Sequence, residues 1–201
     1  MSSDRFAAFV VFAVVASFTP GPNNTMLMAS GANFGLGRSS AHMIGVVVGF
    51  VGLLASVGLG LAGAFAAWPE SQRVLQAGGA VYLIYLAWKI ATSKGVGGGA
   101  SGERPQSFWQ AVGFQWINPK AWITAVSAFS TYAPKAGYLP VVMLIVFVFG
   151  VVSVPCVLVW TGFGVGLSRF LNRPAALRAF NFTMAGLLVA SLYPLAAQWA
   201  G

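Results

Sequence analysis

From Ala41 to Ala67 the chain carries no ionisable side chain except His42, and from Leu139 to Leu167 it has no Asp, Glu, Lys, Arg or His. A helix needs about 20 apolar residues to cross the hydrocarbon core of a bilayer. Backbone in contact with lipid must satisfy its own hydrogen bonds. These runs therefore demand an all-α integral membrane protein. Composition closes the soluble alternative. Charged residues make up 7% of the chain and hydrophobic ones 58%, whereas soluble domains carry about 25% charged residues.

Six segments read as spans: Phe6 to about Ala29, Ala41 to Ala67, Val74 to Ala91, Phe108 to Phe129, Leu139 to Leu167 and Ala179 to Trp199. The linkers between the first three hold Asn33-Phe34-Gly35-Leu36-Gly37 and Trp68-Pro69-Glu70. The longest polar stretch, Ser93 to Gln106, is Gly-rich and reads as a flexible loop. It divides the chain into a three-helix unit over 1–92, the loop over 93–107 and a second three-helix unit over 108–201. The N-terminal stretch MSSDRFAAFVVFAVVAS has one Arg offset by one Asp and no clear cleavage site. It reads as a retained first helix rather than a signal peptide.

The net charge of +8 comes from basic residues scattered between apolar segments. This is the pattern of membrane-flanking charge, not of a nucleic-acid surface. Arg38, Lys89, Lys94, Arg104, Arg169, Arg173 and Arg178 fall on one side, and Arg5, Arg73 and Lys135 on the other. The positive-inside rule then puts the Gly-rich loop in the cytoplasm and both termini outside it. Because each unit has an odd number of spans, the second enters from the opposite side. The expected architecture is two inverted three-helix repeats in the membrane plane.

The first helix of each repeat is interrupted. The first reads Ser17-Phe18-Thr19-Pro20-Gly21-Pro22-Asn23-Asn24, and the fourth segment reads Asn118-Pro119-Lys120. Pro20 and Pro22 remove backbone donors and clash with the preceding turn, and Gly21 admits backbone angles that other residues resist. The freed groups are tolerated at membrane depth only if buried in protein or facing a wet cavity. Asn23 and Asn24 supply donors and acceptors there. A packing kink, with the asparagines tying down the backbone, is the plainer alternative. Matched Pro-interrupted segments in two halves point instead to a transporter's binding site. Lys120 is the one charged side chain deep in a span, and an intramembrane charge is a functional candidate by default. Snorkelling to an interface marked by Trp109 and Trp116 is its alternative.

His42 is expected to be an interfacial hydrogen-bonding residue, with proton relay as its second reading. Gly45, Gly49 and Gly52 share a helical face and serve close helix packing, within the chain or between copies. Pro155 is a possible kink in the fifth span. Tyr82, Tyr85 and Trp88 recur at helical spacing as packing or belt residues, or as an aromatic wall. Cys156 is alone, so neither a disulfide nor a thiolate metal site is available within the chain. One His and one Cys assemble no catalytic constellation, and GVGGGASG lacks the Gly-Lys-Ser/Thr ending of a phosphate loop. No enzyme activity, metal or cofactor is expected.

The two breaks resemble those of the LysE/RhtB family of bacterial amino-acid exporters. Thr19-Pro20-Gly21-Pro22-Asn23 and Asn118-Pro119-Lys120 carry the resemblance. It is supported by Gly31, Gly35, Gly37 and Arg38, by the second-span glycines, by Gly79-Ala80-Val81-Tyr82-Leu83 and by Phe108 with Gly113-Phe114. The resemblance covers nearly the whole chain. It implies proton-driven export of amino acids or close derivatives across the bacterial inner membrane, with the two breaks facing each other around the pathway. Thr19, Pro20, Gly21, Pro22, Asn23, Asn24, Asn118, Pro119 and Lys120 become the expected substrate-binding residues. Lys120 and His42 are the proton-coupling candidates.

The residues narrow the cargo. The acids are Asp4, Glu70 and Glu103, none inside a span, so a basic amino acid or a metal cation lacks a countercharge. Lys120 suits a carboxylate, and the carbonyls of Thr19 to Gly21 with the Asn23 side chain suit an ammonium group. A neutral amino acid is the expected substrate. Export of another small solute or a metal cation, or a non-transporting scaffold role, are the alternatives.

Overall fold

The computed structural model describes residues 2–61, 63, 67–93, 104–133, 138–171, 173–193, 196 and 197. The Gly-rich loop expected over 93–107 lies mostly outside them. The described residues form eight helices and no strand: α1 Ser3–Phe18, α2 Pro22–Arg38, α3 Ser40–Ser56, α4 Pro69–Ala91, α5 Phe108–Ile117, α6 Pro119–Tyr132, α7 Tyr138–Ser168 and α8 Pro174–Ala190. A π turn over Val57–Leu61 extends α3.

Local sequence sets the helix starts. Proline opens α2, α4, α6 and α8, where its missing N–H costs nothing and its fixed φ suits the first turn. The Ser107 hydroxyl accepts from the Gln110 backbone while the Gln110 side chain accepts from the Ser107 N–H, a reciprocal cap on α5.

Among the described residues, three helical stretches are long and apolar enough to cross a membrane: Ser40–Leu61, Arg73–Ala91 and Tyr138–Ser168. Together α1 and α2 pass the same test as one span bent by 52°. The expected fourth segment is split into α5 and α6 at Asn118, and α8 is a shorter apolar helix of 17 residues. Large apolar side chains on the outer face are bare, among them Phe147 at 68% and Phe163 at 61% exposure. Such a surface is stable in lipid and not in water. The protein is a multi-pass membrane protein.

Several expectations at element ends are corrected. The linker placed at Asn33 to Gly37 is helical, because α2 continues to Arg38 through a kink at Gly35, whose φ of 77° lies in the left-handed region. The Trp68-Pro69-Glu70 linker is shorter than expected, since Pro69 already begins α4. The fifth span stands as expected: α7 contains Pro155 and runs on to Ser168.

Glycine brings helices into backbone contact. A Cβ on Gly31 would collide with the backbone of Thr161, and one on Gly164 would meet Ala32 N at 2.8 Å, so α2 and α7 lie face to face. Gly45 and Gly49 do the same for α3 against α5, where a Cβ on Gly49 would lie 2.7 Å from Val112 Cα. The expected packing face is therefore used within this chain. Gly52 departs from it and has nothing nearby. The interior holds three apolar clusters. The largest stacks Phe9 and Phe50 edge-on against Phe149, with ring centroids 5.8 and 5.6 Å away.

Candidate functional site

The two breaks meet. α1 ends at Phe18 and α2 begins at Pro22, so Thr19, Pro20 and Gly21 are the non-helical residues between them. The second break is narrower. Asn118 alone separates α5 from α6, in an extended conformation at φ −83° and ψ 109°. Its side-chain oxygen accepts from the Lys120 N–H at 3.1 Å, capping the new helix. One turn of α6 then sends the Lys120 side chain across to the first break, where its ammonium donates to the Thr19 carbonyl. Lys120 is half-buried, and this bond accounts for its charge better than snorkelling does.

The glycine of the first break has a different cause from the one expected. Gly21 is extended, with φ −175° and ψ −179°, a conformation open to any residue. What it provides is room. A Cβ there would sit 2.6 Å from Lys120 Cδ and 3.2 Å from Nζ.

The asparagines divide their work. Asn24 donates to the carbonyls of Ser17 and Thr19, both at 2.9 Å, and so ties down the opened backbone. Asn23 forms a reciprocal amide pair with Gln115 of α5, at 2.7 and 3.0 Å. Gln115 is fully buried, with a third bond to Ala111 O. Its position one helical turn before Asn118 was a legible signal, since residues three apart share a helix face.

Gly21, Asn23, Asn24, Asn118 and Lys120 line one cavity of about 60 Å3. Thr19, Pro20, Pro22 and Pro119 shape the breaks but do not line it. The wall is completed by Ser17, Thr124, Ser153 and Cys156 among others, residues the sequence reading did not select. Ser153 and Cys156 are small polar groups three apart on α7. The Cys156 thiol donates to Ser17 O at 3.2 Å. The cavity has room for only a few water molecules and is far smaller than the roughly 300–1,000 Å3 of a typical ligand pocket. Its chemistry is one ammonium, amides, hydroxyls and a thiol, with no carboxylate among the described lining residues.

His42 corrects the interfacial reading. It is 2% exposed, and neither ring nitrogen has a hydrogen-bond partner among the described residues. It stands away from the breaks, near a second buried amide pair that the sequence reading also missed. Asn33 and Asn181 exchange bonds at 2.9 and 3.3 Å, and Asn181 donates to Ser93 O at 2.9 Å. Tyr85 and Trp88 are exposed, as belt residues are.

Interrupted apolar helices meeting around a polar pocket are the architecture of membrane translocators of small solutes. The chain belongs to the LysE type translocator family, whose model matches residues 14–192. Among curated proteins it is similar to the cysteine/O-acetylserine efflux proteins of Escherichia coli (strain K12) and Shigella sonnei (strain Ss046). Each is 32% identical over 133 residues, covering 66% of this chain and 67% of the relative. No solved structure matches the chain.

Proposed function

We propose that the protein exports a neutral amino acid or close derivative across the bacterial inner membrane, in exchange for protons, through the cavity between the two breaks. The observation that carries this reading is the Lys120 ammonium resting on the Thr19 carbonyl. A bound zwitterion can satisfy both members of that pair, a cation and a backbone acceptor. Its carboxylate takes the Lys120 ammonium, and its own ammonium takes the vacated Thr19 carbonyl, so neither group is left bare during the swap. The small cavity then has to widen for cargo. The efflux proteins to which the chain is similar are named for cysteine and O-acetylserine, both neutral amino acids, and this supports the cargo class.

In this reading Lys120 carries the coupling proton, because a neutral amine no longer holds the carboxylate. The architecture is two inverted three-helix repeats over 1–92 and 108–201, joined by the cytoplasmic loop over 93–107, with both termini outside. The helix contacts support it. Exchanging the repeats pairs α1–α2 with α5–α6, α3 with α7 and α4 with α8. Helix by helix, α2–α7 then answers to α3–α6 and α3–α5 to α1–α7, all four of which are in contact, while α3–α7 and α4–α8 map onto themselves.

The test is uptake by proteoliposomes of labelled neutral, basic and acidic amino acids, with and without a pH gradient. Gradient-dependent movement of a neutral amino acid, lost in Lys120→Met, is the expected result. Equal, gradient-driven transport by Lys120→Met would remove Lys120 from the mechanism.

A further inference from the structure

A second and larger cavity, about 400 Å3, opens between α2, α3, α4 and the residues leading into α5. Its size falls within the range of small-molecule pockets. Its chemistry is unlike that of the first. Lys89 and Arg104 lie on its wall, and both are exposed. Deeper in are His42 and Gln106, both buried. The Gln106 amide nitrogen donates to Tyr82 Oη at 3.1 Å, but among the described residues its carbonyl oxygen has no partner, and neither does the His42 ring. Buried polar groups are normally satisfied, and each exception calls for an explanation. No acidic side chain is among the described residues of this wall.

The cavity stands in line with the helix breaks. On α3, His42 lines the larger cavity, while Val46 and Phe50, at successive turns of the same face, line the smaller one. On α2, Asn23 and Asn24 line the smaller cavity, and Ala29, Ser30 and Asn33 the larger. Leu27 lies between these groups, and it packs with Val46 and Val157 in one apolar cluster. His42 and Val46 are about 6 Å apart along the helix axis. Two chambers, each with a few polar groups on a mostly apolar wall, are thus separated by the apolar side chains of Leu27, Val46 and Val157.

We infer that the larger cavity is a second solute site, an antechamber that binds an α-amino acid zwitterion at Arg104, Lys89, Gln106 and His42 before it reaches the helix breaks. This rests on the export reading above. The guanidinium of Arg104 and the ammonium of Lys89 take the carboxylate. The free Gln106 carbonyl accepts from the amino group, and the imidazole supplies one further donor or acceptor. An anion alone leaves Gln106 and His42 unsatisfied, and a cation alone meets two positive charges.

The site is tested with Thr92→Cys, an exposed position on the same wall. In detergent-purified protein, the rate of thiol modification by a charged methanethiosulfonate is measured against O-acetyl-L-serine, acetate and ethylamine. The parent protein, with Cys156 buried, is the blank. The inference expects O-acetyl-L-serine to slow modification at least about fivefold, and the other two to have no effect. Adding Arg104→Gln, a change at an exposed residue, should raise the half-protecting concentration about tenfold, and Gln106→Leu should do likewise. Protection must survive Lys120→Met, because that residue belongs to the other chamber. Protection that vanishes with Lys120→Met overturns the antechamber, as does equal protection by acetate or none from O-acetyl-L-serine. Intact protection in a protein that transports no amino acid leaves the antechamber standing and defeats the export reading.

Discussion

The two helix breaks have similar sequences and do opposite jobs. The first is three residues wide, bends the chain by 52° and leaves carbonyl oxygens facing inward. The second is one residue wide, caps itself through Asn118 and projects a cation. One supplies acceptors and the other a donor, and they close on each other through Thr19 and Lys120. A pair of identical breaks would give either two sets of bare carbonyls or two repelling ammonium groups. The asymmetry between them creates a site with a cation for one end of an amino acid and backbone acceptors for the other.

The largest effect expected is on that closure. Lys120→Met should cut transport by about 100-fold or more, about 2.7 kcal/mol or more, since the substrate carboxylate then has no cation to bind. Lys120→Arg should still bind cargo yet no longer respond to a pH gradient, because guanidinium keeps its proton. Both are read by proteoliposome flux and by binding.

Gly21→Ala comes next. The new methyl group forces the Lys120 stem aside without straining the extended backbone. A loss of about tenfold in transport is expected, about 1.4 kcal/mol, with thermal stability in detergent nearly unchanged. A large fall in melting temperature with normal residual transport would show that Gly21 serves the fold rather than the lysine.

A third measurement sharpens the role of the asparagines. Gln115→Leu leaves the half-buried Asn23 amide without its partner, at a cost of about 1–3 kcal/mol in stability. The double change Asn23→Leu with Gln115→Leu should recover part of that loss, because no amide is then orphaned. The smallest effect belongs to Asn118→Ala. It removes an N-cap worth about 1 kcal/mol and should lower thermal stability slightly while leaving Lys120 able to reach Thr19.

The breaks were legible because proline and glycine interrupt an apolar helix for reasons that act within a few residues. That Lys120 would find a partner was legible too, since a charge at membrane depth needs one. Its partner was only partly so. A backbone carbonyl carries no sequence signature, and Thr19 was named as part of a motif rather than as an acceptor. Ser153 and Asn181 escaped because isolated polar residues in apolar helices look alike until the helices are docked, and Gln115 escaped although its place one turn before Asn118 marked its helix face. His42 was misplaced for a related reason. Its position at a helix start suggested an interface, but α2 and the chain before α5 fold over that end and bury it.

The glycine contacts between helices bear on how such a molecule can move. Gly31 and Gly164 let α2 and α7 touch backbone to backbone, and Gly45 and Gly49 do so for α3 and α5. Surfaces meshed at that distance cannot slide past one another without first separating. Each pair must therefore travel as a rigid block. The compliant seam lies elsewhere, where α1 meets α6 through exposed bonds from Arg5 to Thr131 O and from Tyr132 to Ala8 O, and through the tilted rings of Phe9 and Tyr132. In the export reading, that seam is where rocking of one block against the other would first widen the cavity beside Lys120.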